Sequence, residues 1–508
     1  MLKISLLLIF TLTASCQAQN ECLSRDYGNG GTVCVCNSDH CDTIPAPERL
    51  EPPQYLVYTS NKAGLRFQKD VGTFEQPSEN AENEIVVNSE QQYQTILGWG
   101  GAFTDSTGIN IGSLEESVQE KLLRSYFSED GIEYSLCRVP IGGTDFSTHG
   151  YTYDDGDEDL DLKNFALVEE DYQYKIPYIQ KASNLTNNNL RLFASAWNAP
   201  KWMKTNGEYT GWGFIKPEMY QTWADYFVKF LDSYQEEGIS FWGITTGNEP
   251  NTYLVPGNLI PTVGWNASEQ GEWIANNLGP AIRNSVYSDI KIVALDDQRM
   301  FLPGFVDTAL ENGTTSEYVD GIGVHFYSDF IIPPSMLDTT HEHFPDKFIL
   351  NTEACITIPM FTVPVDLGSW ERGEFYSDDI IEDLQHWVNG WVDWNMVLDP
   401  SGGPTFIDNL VDSPIIVNTT AGEFYKQPMY YHLGHFSKFV PRESVRIDSV
   451  SNLNKNIEVV AFQRPDNGTT VVILNKNESA VPISLVDESR GTAQLELSEK
   501  SITTILYW

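Results

Sequence analysis

Ile239-Ser240-Phe241-Trp242-Gly243-Ile244-Thr245-Thr246-Gly247-Asn248-Glu249-Pro250 is a short apolar run that stops on a carboxylate and a proline. Its aromatic and β-branched content reads as a buried strand, and the proline closes it into a loop. Lys347 to Cys355 behaves alike and carries Glu353 near its end. Six further runs share this character: Thr95 to Asp105, Glu133 to Gly143, Leu190 to Trp197, Ile290 to Asp297, Gly321 to Tyr327 and Gly390 to Leu398. Stretches between runs, such as Ser113 to Phe127 and Pro217 to Tyr234, repeat apolar residues at three and four, the spacing of a helix covering a sheet. Eight such alternations predict an α/β fold, a (β/α)₈ barrel, in which Glu249 closes the fourth strand and Glu353 the seventh.

Barrel active sites lie at the C-terminal ends of the strands, so both acids should face one mouth. A lone glutamate is usually a solvated surface residue, but each of these follows residues that read as buried. Hydrolysis of a glycosidic bond uses such a pair, one carboxyl donating a proton while the other attacks or activates water. Carboxyls about 5–5.5 Å apart give a double displacement. Glu353 is then expected to attack the anomeric carbon. Glu249 protonates the leaving oxygen and later deprotonates water, with its pKa raised by the neighbouring Glu353 charge. Asn248 is placed for the sugar 2-hydroxyl. Asp145, Trp197, Tyr327 and Trp394 stand at other strand ends, where aromatic faces and a carboxylate suit a pyranose. Arg138 can orient a carboxylate, and His325 can support the site by hydrogen bonding. His325 has no histidine partner nearby in sequence, and His341-Glu342-His343 reads as a loop pair with the wrong spacing for a zinc helix. Asp154 to Asp159 lacks the spaced ligands of a calcium loop and reads as solvated. Neither metal nor cofactor is expected.

The chain has 508 residues and a formal net charge of −40, which leaves no basic surface for a nucleic acid. Residues 1–18 read as a signal peptide: Lys3, an apolar run from Ile4 to Leu12, and small residues up to Ala18. The compartment is therefore lumenal or extracellular, which favours disulfides over zinc for Cys22, Cys34, Cys36 and Cys41. Cys34 and Cys36 are too close to bond each other easily, so Cys22–Cys34 with Cys36–Cys41 is expected; zinc held with His40 is the competing reading. Cys137 and Cys355 are expected to stay reduced in the barrel wall. Sequons at Asn184, Asn266, Asn312, Asn418, Asn467 and Asn477 fit a glycoprotein. Apolar loop segments follow three strands: Tyr253 to Pro256 with Leu259 to Pro261, Phe330 to Pro334, and Ile356 to Val365. They either pack together or receive an apolar aglycone.

Outside the barrel, residues from about 48 to 93 and from about 444 onward alternate as surface strands do. Ile457 to Phe462 and Thr470 to Leu474, joined through Asp466-Asn467-Gly468, predict a hairpin in a β-domain built from both chain ends. Glu75 to Glu84 reads as a loop.

Several longer blocks are more specific than Asn-Glu-Pro. They include Gly98-Trp99-Gly100-Gly101-Ala102-Phe103-Thr104-Asp105, Leu295-Asp296-Asp297-Gln298-Arg299, Asp412-Ser413-Pro414-Ile415-Ile416-Val417 and Tyr431-His432-Leu433-Gly434-His435-Phe436-Ser437-Lys438-Phe439. Through them the chain, from Cys22 almost to Trp508, resembles the lysosomal glucosylceramidase (acid β-glucosidase) family. The resemblance implies four parts: a signal peptide over 1–18, a small disulfide-bearing sheet domain from 19–47 with 396–427, a β-sandwich from 48–93 with 444–508, and the barrel from 94–395 with 428–443. It implies hydrolysis of glucosylceramide in the lysosome lumen, by Glu249 as acid/base and Glu353 as nucleophile, with Asp145, Trp197, Asn248 and Trp394 on the glucose. A saposin-type activator and peripheral membrane contact are the partners it implies. Gly247 stands where that family has a second glutamate, and Phe326 where it has a tryptophan. The alternatives are a secreted digestive β-glycosidase acting on other β-glucosides or xylan-type oligosaccharides, and a non-catalytic carbohydrate or lipid carrier.

Overall fold

The computed structural model describes residues 21–76, 83–357, 360–453 and 456–508. The signal peptide and most of the Glu75 to Glu84 loop lie outside the described residues. Eight parallel strands close into a barrel: Gly98–Ala102, Leu136–Ile141, Arg191–Ala196, Gly243–Thr245, Lys291–Gln298, Gly321–His325, Phe348–Glu353 and Val388–Asn395. The eighth strand pairs back onto the first, Gly390 opposite Gly98. These strands are almost wholly buried, as expected where helices cover the outer face and side chains fill the inner one. Leu136, Phe193, Leu350 and Val392 form a separate small apolar cluster contributed by four of the strands. First and second strands approach so closely that a Cβ on Gly100 would sit 1.8 Å from the Leu136 carbonyl oxygen, which explains the glycine-rich block there. Outside, the helix Tyr220–Glu236 buries Trp223, Phe227, Phe230, Leu231 and Tyr234, the three-and-four spacing that the sequence shows.

Nine strands from both chain ends form the second sheet. Its order is Gly491–Leu497, Val481–Asp487, Glu84–Thr95, Val445–Ser451, Ile457–Gln463, Thr469–Asn475, Ser501–Tyr507, Gln54–Asn61 and Gln68–Thr73. It encloses its own apolar core, including Tyr55, Ile85, Ile473 and Ile505. The hairpin at its centre pairs Gln463 with Thr469 and turns through Asn467 at φ 63°. A third sheet combines Ser24–Asp26 and Thr32–Cys36 with Glu423–Lys426, Ile415–Asn418 and Val397–Leu398. Cys22–Cys34 and Cys36–Cys41 are bonded there, which leaves no thiolate for the zinc reading, while Cys137 and Cys355 are free and buried.

Three expectations change. The fourth strand is only Gly243–Thr245, so Glu249 lies in the following loop at φ 42° and not at the strand's end. Gly247, at φ 123°, already turns the chain away from the ladder, in a conformation that side-chain-bearing residues seldom adopt. His341 and His343 sit on the helix Ser335–His343; His341 stacks on Trp387 at 3.9 Å and His343 pairs with Asp307 at 2.8 Å. Asp154, read as part of a solvated loop, is 2 % exposed, although Asp155 and Asp157 beside it are exposed.

Candidate active site

Glu353 is the last residue of the seventh strand, and its register beside His325 of the sixth places both at the barrel mouth. Glu249 reaches the same place from its loop because its backbone N–H donates to the Asp296 carbonyl at 2.9 Å, while the Asn248 N–H donates to Ala196 at 2.8 Å. Neighbouring strands on both sides thus hold the loop after the pairing has ended. One carboxylate oxygen of Glu249, one of Glu353 and a ring nitrogen of His325 lie within 4.8 Å of one another. Around the two acids is a cavity of about 210 Å³, also lined by Asp145, Trp197, Asn248, Tyr327 and Trp394. All five residues expected at sugar contacts are therefore brought together. A larger hollow of about 580 Å³ borders Glu133, Ser135 and Asn189, at the N-terminal ends of the strands, where barrels carry stability and not chemistry.

Glu353 is clamped at both oxygens. Tyr327 donates to Oε1 at 2.7 Å, and the Arg138 guanidinium bonds Oε2. Arg138 is completely buried and also donates to Asn248 Oδ1 at 2.9 Å, Ser195 Oγ at 3.1 Å and Asp296 Oδ2 at 2.7 Å. Its charge lies 4.4 Å from the Trp197 ring centroid, and Trp197 stacks on Trp394 at 4.7 Å. Glu249 has three donors: Gln298 Nε2 at 2.8 Å and His325 Nδ1 at 3.0 Å on Oε1, and the Thr252 hydroxyl at 2.8 Å on Oε2.

Asp296 is the centre that the sequence reading missed. It binds Arg138, His325 Nε2 at 3.1 Å, and the hydroxyls of Ser195, Thr245 and Thr352 at 2.6–2.7 Å. Its signal was a pair of acids ending an apolar run. Its own placement depends on the irregular backbone at Leu295 and Asp296, φ 69° and 56°, which periodicity does not reveal. Asn409, which donates to Asp145 at 2.8 Å, comes from a loop far along the chain and was likewise not foreseen.

Charge organises these contacts. Burial disfavours a charged His325, but the Glu353, Asp296 and Glu249 carboxylates outweigh it and push the pKa up to about 10. With both ring nitrogens facing carboxylates, an imidazolium is held in place and offers no lone pair to a metal. Burial likewise opposes ionisation of Asp296, yet Arg138 and His325 hold it far below the usual range. Burial raises Glu353 above its ordinary value, and His325 and Arg138 only partly offset that. For Glu249, burial is overcome by His325, Thr252 and Arg138, and the carboxyl is held low. The expectation that Glu353 lifts Glu249 is therefore reversed in the free site, because a histidine proton points at Glu249. Asp145 is pushed up to about 7 by burial.

A buried and a partly buried carboxyl sharing a sugar-sized hollow, at the C-terminal mouth of a (β/α)₈ barrel carrying a β-sandwich, define a glycoside hydrolase. The chain belongs to glycosyl hydrolase family 30: residues 96–440 match that family's TIM-barrel domain and residues 443–505 its β-sandwich domain. It is 40 % identical to the lysosomal acid glucosylceramidase of Mus musculus, over 98 % of each chain. Among solved structures it is similar to SrfJ from Salmonella typhimurium, with a TM-score of 0.83, 25 % identity and coverage of 89 % of this chain and 99 % of that one. The endo-β1,6-glucanase BT3312 is similar too, with a TM-score of 0.79 at the same identity and coverages.

Proposed function

We propose that this chain hydrolyses the β-glucosidic bond of glucosylceramide with retention of configuration. The observation that carries the mechanism is the approach of the Glu249 and Glu353 oxygens to within 4.8 Å. That spacing suits a nucleophile reaching the anomeric carbon, whereas inversion needs about 6.5–9.5 Å to admit water between carboxyls. Glu353 is the nucleophile: a strand end fixes its backbone, and Tyr327 and Arg138 fix its oxygens. Glu249, in the loop and with 12 % of its side chain exposed, protonates the leaving oxygen and then activates water. Loading that proton titrates the His325–Glu249 pair as a unit. Asn248 is held by Arg138 in position for the 2-hydroxyl, and the Trp197–Trp394 stack offers an apolar wall to the ring.

Glucose bound among these residues leaves its aglycone at the rim. There the loops after the fourth and sixth strands expose Leu254, Val255, Leu259, Phe330 and Ile331, each more than half accessible. These apolar segments do not bury one another, so they favour a lipid over a polar oligosaccharide. The relative named as a glucosylceramidase supports the same choice. An acidic lumenal compartment and peripheral contact of this rim with a bilayer follow from that substrate. No helix among the described residues is long and apolar enough to cross a membrane. Sequons at Asn184, Asn266, Asn312 and Asn467 are exposed and available for glycosylation, while the side-chain nitrogens of Asn418 and Asn477 donate to Tyr425 and Asn475. The deciding experiment measures turnover of fluorescent glucosylceramide against cellobiose, β1,6-linked glucose oligomers and xylo-oligosaccharides at acidic pH with detergent. Preference for the lipid is expected; a preference for any soluble oligomer would transfer the assignment to the digestive alternative.

A further inference from the structure

Thr252 is unexplained by sugar binding and lies outside the hollow's lining, yet it makes one of three hydrogen bonds to Glu249. Its neighbours differ from it in one respect. Gln298 offers an N–H to Glu249 and could accept only by turning its whole amide over, and His325 would have to give up a strongly held proton. A threonine hydroxyl donates or accepts after rotation about one C–O bond, with no heavy atom moving. It is also rigidly placed: the Thr252 N–H closes a turn onto the Glu249 carbonyl at 3.0 Å, so hydroxyl and carboxyl belong to one short loop.

Resting on the acid/base role proposed above for Glu249, we infer that Thr252 is a positioning residue that serves both protonation states of that carboxyl. When Glu249 is anionic and activating water, Thr252 donates to Oε2 and fixes the carboxylate plane while Gln298 and His325 hold Oε1. When Glu249 carries its proton, the same hydroxyl can accept it at rest, or keep donating to the free lone pair of Oε2 while the proton faces the glycosidic oxygen. No atom is gained or lost by Thr252 in either step. A further consequence follows from its donating to the anion: it helps hold the proton affinity of Glu249 down, so that the base form needed in the second step is favoured.

The test compares Thr252→Val and Thr252→Ser in the full chain. In Thr252→Val the alkaline limb of kcat/KM should move to higher pH, because the lost donor had stabilised the anion. With a dinitrophenyl glucoside, whose leaving group needs no proton, breakdown of the glycosyl-enzyme limits turnover; kcat should fall roughly ten- to hundredfold, the range for a hydrogen bond to a charged group. KM for that substrate should fall with it as intermediate accumulates. Thr252→Ser should restore both the limb and kcat. Equal profiles for wild type and Thr252→Val would overturn the inference, as would equal impairment in valine and serine variants, which would mark a purely structural turn. A separate control, Glu249→Ala, distinguishes the two levels: if it loses activity on natural substrates and azide speeds its turnover of the dinitrophenyl glucoside while Thr252→Val changes nothing, only the Thr252 inference fails. If Glu249→Ala itself loses nothing, the acid/base reading fails first.

Discussion

Arg138 bonds Glu353, Asp296, Asn248 and Ser195 with one fully buried guanidinium, so its removal strands two carboxylates in the barrel. Breaking a buried pair from one side costs about 3–5 kcal/mol, and Arg138→Ala should show that loss in chemical unfolding alongside lost activity. Arg138→Lys should not rescue it, since an ammonium cannot supply the planar fork. Glu249→Ala should lower kcat/KM for substrates with poor leaving groups about 10²–10⁴-fold while sparing kcat/KM for activated aryl glucosides, whose kcat still falls because water attack has lost its base. Acid limits follow from Glu353, which must be ionised to attack. Its pKa is raised above 4.5 mainly by burial, so kcat/KM should decline as pH falls through a value higher than that; an acid limb at or below 4.5 would contradict the environment described for Glu353. Much of this site was legible in residues alone, because strand ends in a barrel converge whatever their order in the chain. Asp296 was not legible, since its reach depends on a bulge, and neither was the low-lying Glu249, since that depends on which way an imidazolium points.

The fourth barrel strand shows where pattern reading stops. Its apolar residues announce burial correctly, but Gly247 and Glu249 adopt positive φ, and the element ends at Thr245. Elements whose partners are remote in sequence, such as Val397–Leu398 beside Ile415–Asn418, are two or four residues long and carry no period to read. The helix Trp370–Gln385 makes the opposite case. Its apolar face was foreseeable, whereas its buried Asp379 and Asp383 were not. Asp383 is balanced by Arg299, which also meets Asp329 at 2.8 Å and Glu382 at 2.6 Å, tying this helix to the loops after the fifth and sixth strands. Arg299→Met should therefore destabilise by about 3–5 kcal/mol, with part of the loss recovered by adding Asp383→Asn, as read by a double-mutant cycle in urea.

Across the whole molecule, an excess of acidic groups is buried as well as displayed. Burial pushes Asp154 up to about 6, Asp145 and Asp297 to about 7, and Glu458, aided by Asp378, to about 8. Such groups bind protons more tightly folded than unfolded, so their contribution is complete at pH values below ordinary carboxyl pKa values and is lost as pH rises through the folded values. Thermal stability should consequently decline from about pH 4, where ordinary carboxyls titrate in the unfolded chain, to about pH 8, where the last of these four groups titrates in the folded one. Asp296, held low, works in the other sense and limits stability only in strong acid. A melting temperature that rises steadily from pH 5 to pH 8 would contradict the assignment of these buried acids. The account as a whole depends on which carboxylate attacks. Trapping with a 2-deoxy-2-fluoro-glucoside bearing a good leaving group, followed by peptide mapping, tests it most directly. One label per chain on Glu353 is predicted, whereas a label on Glu249 or elsewhere, or turnover with inverted product and no trapped intermediate, would contradict it.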